Sequence, residues 1–309
     1  MVELSNDLIA AITQSVSDGF DEQLKYTQKL VQFGGQRGEE AAVQEFVFDQ
    51  YQKRGYNPVK LDMDRQALSQ HVGAGRFSPQ HSHAPVVVGT HKPNLAKGKS
   101  LILNGHIDVV PLGPVDLWTH PPYSGHIEGD RLYGRGSGDM RAGHAANLHA
   151  LDALRRIGLQ PAADVILESV VEEESTGNGT LMTHLKGYKA DAVLVPEPVE
   201  EMLVRANVGV LWFQIEVRGK PVHVREMGTG ANAIDATWRV IGALRGLEAA
   251  WNEKSKEVKY FENEQHPLSK STSLVQRGAG QSVLPAGRPL WWQRAFILLL
   301  SPLANADAK

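Results

Sequence analysis

Short apolar runs of strand length, alternating with helical patterns, constrain this chain most, and one of them sets the frame. Residues 100–108 read S-L-I-L-N-G-H-I-D. Leu101, Ile102 and Leu103 form an apolar run of buried-strand length. Gly105 breaks it, and His106 and Asp108 follow at once. In open α/β sheets, ligands sit just beyond the carboxyl ends of strands. A His and an Asp two residues apart, delivered there, can act as a metal ligand and its supporting carboxylate. The same pair can equally be an ordinary polar loop leaving a strand, because His-x-Asp alone is a weak motif.

The rest of the chain repeats the alternation. Residues 6–16 and 23–33 carry apolar side chains at helical spacing, and 39–54 reads as a further amphipathic helix stopped by Gly55. Strands are predicted at 58–61, 85–90 and 101–104, and residues 62–80, without a clear period, as loop. Residues 111–130, rich in Pro and aromatics, read as one long loop of the kind that is often functional. Gly134, Gly136 and Gly138 let the backbone turn tightly ahead of Asp139, and a helix follows over 142–157. The β-branched run 164–171 enters Glu172-Glu173-Glu174, and a buried strand predicted over 190–195 enters Pro196-Glu197-Pro198. This alternation predicts an α/β fold, a mostly parallel sheet with helices on both faces. Beyond 207 the texture changes to a half-exposed strand over 208–219 and a helix over 231–251, a smaller α+β unit. Domains are therefore expected at 1–206 and 207–309, and the pattern degrades from about 269. There, Gly278-Ala279-Gly280, Gly287-Arg288-Pro289, Trp291-Trp292 and the apolar run 295–300 predict neither strand–turn nor capped helix.

Composition narrows the chemistry. A net charge of -3 over 309 residues sets up no strong field for nucleic acid or anionic lipid. With no cysteine, any metal must be held by His, Asp and Glu. No apolar run approaches the ~20 residues of a membrane span, and the first residues lack the basic and apolar regions of a signal peptide. The expected location is cytoplasmic. Three adjacent glutamates usually belong on a solvated face. At the end of an apolar strand, however, crowded carboxylates raise one another's pKa unless a cation neutralises them. His106, Asp139 and Glu197 add hard ligands suited to Zn²⁺. Two metals ~3.5–4 Å apart need a bridging carboxylate, and Asp139, among its glycines, is the natural bridge.

The ordered runs G-H-I-D (105–108), Y-G-R-G-S-G-D-M-R (133–141), E-E-E-S-T-G-N-G (172–179), P-E-P (196–198) and G-K-P-V-H (219–223) resemble the metal-dependent aminoacylase and carboxypeptidase family. That family includes acetylornithine deacetylases, succinyl-diaminopimelate desuccinylases and glutamate carboxypeptidases. The resemblance implies a zinc-exopeptidase-like catalytic domain and a lid domain through which two copies form a homodimer. It implies that His106 and Glu197 bind one zinc, Asp139 bridges to a second, and Glu174 binds the second, with Co²⁺ able to substitute. It further implies that Glu173 is the general base, that Asp108 orients His106, and that His223 reaches the substrate carbonyl oxygen. Glu172 receives no chemical role. The implied reaction is hydrolysis of an amide bond in a small N-acyl amino acid or related amine.

The sequence departs from the family after His223. The family continues further and returns a second His ligand to the catalytic domain. Here only His266 follows, outside any matching context, although 281–286 faintly matches a family segment. The expectation is a truncated or frame-shifted reading of a longer enzyme, with weak metal binding and poor turnover. The alternative is a catalytically impaired relative acting at most as a binding protein. A phosphate-loop reading of 134–138 is disfavoured, because Asp139 would repel phosphate and no Gly-Lys-Ser/Thr follows. The remaining histidines, His144 and His149 among them, read as surface or packing residues.

Overall fold

A computed structural model describes residues 4–77, 82–198, 202–204, 211–257, 273–277 and 294–301. His266, residues 278–293 with their Gly, Pro and Trp clusters, and the segment 281–286 lie outside the described residues. The chain divides into two units, Met1–Glu201 and Met202–Lys309.

The first unit is built on a five-stranded sheet of order β1-β2-β6-β3-β7, with β1 Val59–Leu61, β2 Val86–His91, β3 Leu101–His106, β6 Val165–Val170 and β7 Ala192–Leu194. β3 pairs in parallel with both β6 and β7, whereas β2 is antiparallel to β1 and to β6. Four of the five strands therefore run one way, and β3 and β6 release their chains at the same end of the sheet. Helices α1 (Asn6–Asp18), α2 (Phe20–Gln32), α3 (Ala41–Lys53) and α5 (Gly143–Arg156) supply much of the cover. One continuous core joins Leu30, Val47 and Leu148 from the helices to Val86, Ile102, Leu167 and Val170 from the strands. Burial on this scale is the main stabilising term, at roughly 25 cal/mol per Å² of apolar surface removed from water.

Several expectations are corrected. The stretch 62–80, read as loop, contains α4 (Arg65–Ser69), capped by the Asp64 carboxylate accepting from Ala67 N at 3.0 Å. The long loop 111–130 ends in β4 (His126–Glu128), which forms a hairpin with β5 (Arg131–Tyr133). A helix not predicted, α6 (Asn178–Leu185), follows the glutamate triplet. β7, expected to be buried, is exposed, with Val193 at 57% and Leu194 at 52%, because among the described residues it lies at the sheet edge with a partner on one side.

In the second unit, β8 (Leu211–Arg218), β10 (Arg294–Ser301) and β9 (Ser273–Arg277) form an antiparallel sheet of order β8-β10-β9. The run 295–300, expected to form no strand, is thus the sheet's central strand: it pairs on both sides, and its apolar sequence suits that position. Helix α7 (Ala233–Ser255) starts at an Asn232 cap and packs Ile241 against Ile215 and Val217 of β8.

Candidate metal centre

His106 ends β3 with its side chain wholly buried. Its Nδ1 lies 3.0 Å from the main-chain oxygen of Asp108. A carbonyl can only accept, so Nδ1 carries the proton and Nε2 is left as the ligating atom. That nitrogen faces Asp139 at 3.1 Å, Glu197 at 3.6 Å and Glu173 at 3.7 Å. The link expected from the Asp108 side chain to His106 therefore runs through the main chain; the carboxylate itself stands 3.6 Å from the ring. That carboxylate instead accepts from two successive amides, Glu173 N and Glu174 N, each at 3.2 Å. The loop after β3 and the loop after β6 are thereby joined.

Asp139 follows a tight turn in which Gly136 has a left-handed φ of 79°. The next peptide bond, Asp139–Met140, is cis. Glu197 follows β7, and its segment lies so close to α5 that a side chain at Gly143 would collide with the Pro196 carbonyl. Four segments thus bring His106, Asp139, Glu173, Glu174 and Glu197 together. Two overlapping groups, His106–Glu173–Glu197 and His106–Asp139–Glu174, each place their ligand atoms within 4.8 Å of one another. His223, in the second unit, is exposed, and its Nδ1 accepts from Arg225 N at 3.2 Å.

The sequence profile of peptidase family M20/M25/M40 matches residues 102–281, more than half of the chain. The chain belongs to that family. An N-formyl-4-amino-5-aminomethyl-2-methylpyrimidine deformylase of Bacillus subtilis is 33% identical over 179 residues, covering 54% of this chain and 42% of that one. A probable succinyl-diaminopimelate desuccinylase of Staphylococcus aureus is 34% identical over 150 residues, covering 48% of this chain and 35% of that one. The chain thus spans less than half the length of these curated relatives. The dipeptidase Dug1p of Saccharomyces cerevisiae shares the fold, with a TM-score of 0.67 at 15% identity over 97% of this chain and 73% of that one.

The M20 family is metal-dependent, and the donor set here fits a cation. Burial raises the Glu174 carboxyl to about 7, with the Asp139 charge adding to it. Glu197 and Glu173 are also raised, first by burial and then by neighbouring carboxylates, with His106 opposing. Burial alone would lower His106, but the charges of Asp108, Glu197 and Glu173 and the bond to Asp139 hold it above its ordinary value. Burial leads the shift of each of these glutamates and crowded negative charge adds to it, a load that positive charge opposes. A second proton on Nε2 or a divalent ion would relieve it.

Two supports of this M20 site are not evident in the sequence. Arg141 is fully buried, yet its guanidinium meets main-chain oxygens: Leu30 at 2.6 Å, Ile107 at 2.9 Å, and Gly34. It ties the end of α2 to the residue between His106 and Asp108. Glu172, left without a role above, is also fully buried and has a left-handed φ of 65°. It accepts from Arg37 Nε at 2.7 Å, Arg37 Nη2 at 3.1 Å, Ser82 N at 2.5 Å and Thr176 Oγ1 at 2.8 Å. Burial would raise its carboxyl, but these donors outweigh it and hold the pKa below the ordinary value. His144 and His149, read as surface or packing residues, are buried on α5; His144 lies stacked with Tyr26 and Tyr51 and is driven down to about 3 by burial.

Proposed function

We propose that this chain carries the metal-binding half of an amide hydrolase that deacylates a small N-acyl amino acid or a related N-acyl amine. Carrying the proposal is the convergence of one imidazole nitrogen, His106 Nε2 at the end of β3, and four carboxylates from the segments that follow β6 and β7 and from the turn that precedes α5. His106 and Glu197 are assigned to one Zn²⁺, Glu174 to a second and Asp139 to both, with Co²⁺ as a working substitute. When bound, such ions supply Lewis acidity that polarises an amide carbonyl and acidifies water.

The chain's own residues do the rest. Glu173, half-exposed and raised in pKa, takes a proton from water and delivers it to the departing amine. Asp108 fixes the backbone of Glu173 and, through its main-chain oxygen, the tautomer of His106. On the family resemblance alone, His223 is assigned to the substrate carbonyl oxygen, and residues 207–309 to a lid that pairs two copies as a homodimer. Residues 1–206 are the catalytic domain in this reading. Among the described residues no helix is long and apolar enough to cross a membrane, and a cytoplasmic location is proposed.

The test is Co²⁺ titration followed by absorption, with turnover measured on formyl, acetyl and succinyl amides. Glu173→Gln is expected to bind metal within a few-fold of the parent and to lose about 10²–10⁴ in turnover. Equal turnover by parent and variant would reduce the chain to a binding protein.

A further inference from the structure

A second cluster of ligating side chains lies on the hairpin that precedes Asp139. His126 and Glu128 sit at i and i+2 of β4, so their side chains leave the same face of the strand. His120 comes up from the loop before it. Its ring stacks on His126 with centroids 4.1 Å apart, and its Nε2 stands 3.9 Å from Glu128 Oε2. Tyr133, the cross-strand partner of His126, sets its ring edge-on to His120 at 4.9 Å. One nitrogen from each His and one oxygen from Glu128 all fall within 4.8 Å of one another.

We propose that His120, His126 and Glu128 form a separate divalent-metal site, suited to Zn²⁺, that staples the 111–125 loop to the β4–β5 hairpin. Two imidazoles and a carboxylate are a set that zinc accepts with bond lengths of about 2.0–2.2 Å, leaving a fourth position for water. Closing the three donors onto such an ion takes a movement of roughly an ångström. His126 and Glu128 are exposed, so solvent rather than packed core surrounds the side chains that must turn. The loop is tied on either side of the third donor: Trp118 Nε1 donates to the Leu112 oxygen at 2.9 Å, and Arg135 N donates to the Pro122 oxygen at 2.7 Å. The nearby cation does not occupy the carboxylate, since the Arg131 guanidinium faces Asp130 at 4.0 Å. No residue of this cluster belongs to the centre around His106, so the two sites can be tested apart.

The experiment is a Zn²⁺ titration of the full chain carrying His106→Ala, followed by long-range ¹H–¹⁵N spectra of the histidine rings. The His120 and His126 nitrogens are expected to shift together, with saturation at micromolar metal. Adding His126→Ala or, as a milder change, His126→Gln is expected to weaken that binding by at least the about 10–100-fold that a lost supporting group costs a metal site. Zinc should also slow proteolysis within 111–125 in the parent and not in the His126 variants. Ring signals of His120 and His126 that stay put at saturating metal would overturn the proposal. So would unchanged affinity in both His126 variants.

Discussion

Two sets of charged side chains lie within a few residues of one another in the first unit, and they are neutralised in opposite ways. Arg141, Glu172 and Asp108 are sealed, with at most 1% of their surface exposed, and protein atoms answer their charges. Asp139, Glu173 and Glu197 form a rim, with side chains 57%, 47% and 28% exposed, and no protein cation is paired with them among the described residues except the His106 ring. The sealed set fixes where the loops go. The rim gathers negative charge at a place those loops have fixed. Scaffold and site are thus separable, and substitutions in the two should change stability with opposite sign.

The largest effect is expected at Arg141. Arg141→Leu strands the buried carbonyls of Gly34 and Ile107, each costing about 1–3 kcal/mol when unsatisfied, and leaves the Leu30 oxygen with only Phe33 N. A total loss of roughly 3–5 kcal/mol is a large part of a domain's 5–15 kcal/mol, and urea unfolding reads it. Next comes Arg37→Ala, which leaves the Glu172 carboxylate buried with only Ser82 N and Thr176 Oγ1. Because Arg37 is 26% exposed, the cost should sit below the 3–5 kcal/mol of fully buried pairs, at about 2 kcal/mol. The lowered Glu172 carboxyl supplies stability that is present above the unfolded value of 4.5 and lost as pH falls through the folded pKa. Unfolding curves of the parent and Arg37→Ala should therefore converge in acid; a gap that stays constant down to pH 2 would break the comparison.

The smallest effect has the reverse sign. Glu174, raised to about 7, supplies stability that is complete below 4.5 and lost as pH rises through about 7. In metal-free buffer, Glu174→Gln should stabilise the chain at pH 8 by about 1 kcal/mol or less after solvent screening. The same variant should weaken Zn²⁺ binding. Thermal melts with and without zinc show both, and a destabilised metal-free Glu174→Gln would erase the distinction between rim and scaffold.

Part of the rim was legible from strand and loop exits, because apolar runs mark strands wherever they fall, and the family resemblance alone singled out Glu174 within its triplet. His106, Asp139, Glu174 and Glu197 could be named without knowing any distance. The sealed set was not legible. Arg141 finds its partners in main-chain oxygens, which have no identity in a sequence, and Arg37 meets Glu172 across 135 residues. The β4–β5 hairpin does carry a signal in the sequence. His126-Ile127-Glu128 and Arg131-Leu132-Tyr133 alternate on either side of Gly129-Asp130, a two-residue turn. The pairing of 294–301 between β8 and β9 was hidden because a central strand shows only as an apolar run, and its partners lie far away in the chain.

Asp108 carries one more consequence. Two consecutive amides hang from a single carboxylate whose own main-chain oxygen steadies His106. When the sheet breathes, His106, Glu173 and Glu174 must therefore travel as one block, keeping their mutual spacing. Asp139 and Glu197 are carried by other segments, so their distances to that block depend on a glycine turn and on the contact of the Pro196 segment with α5.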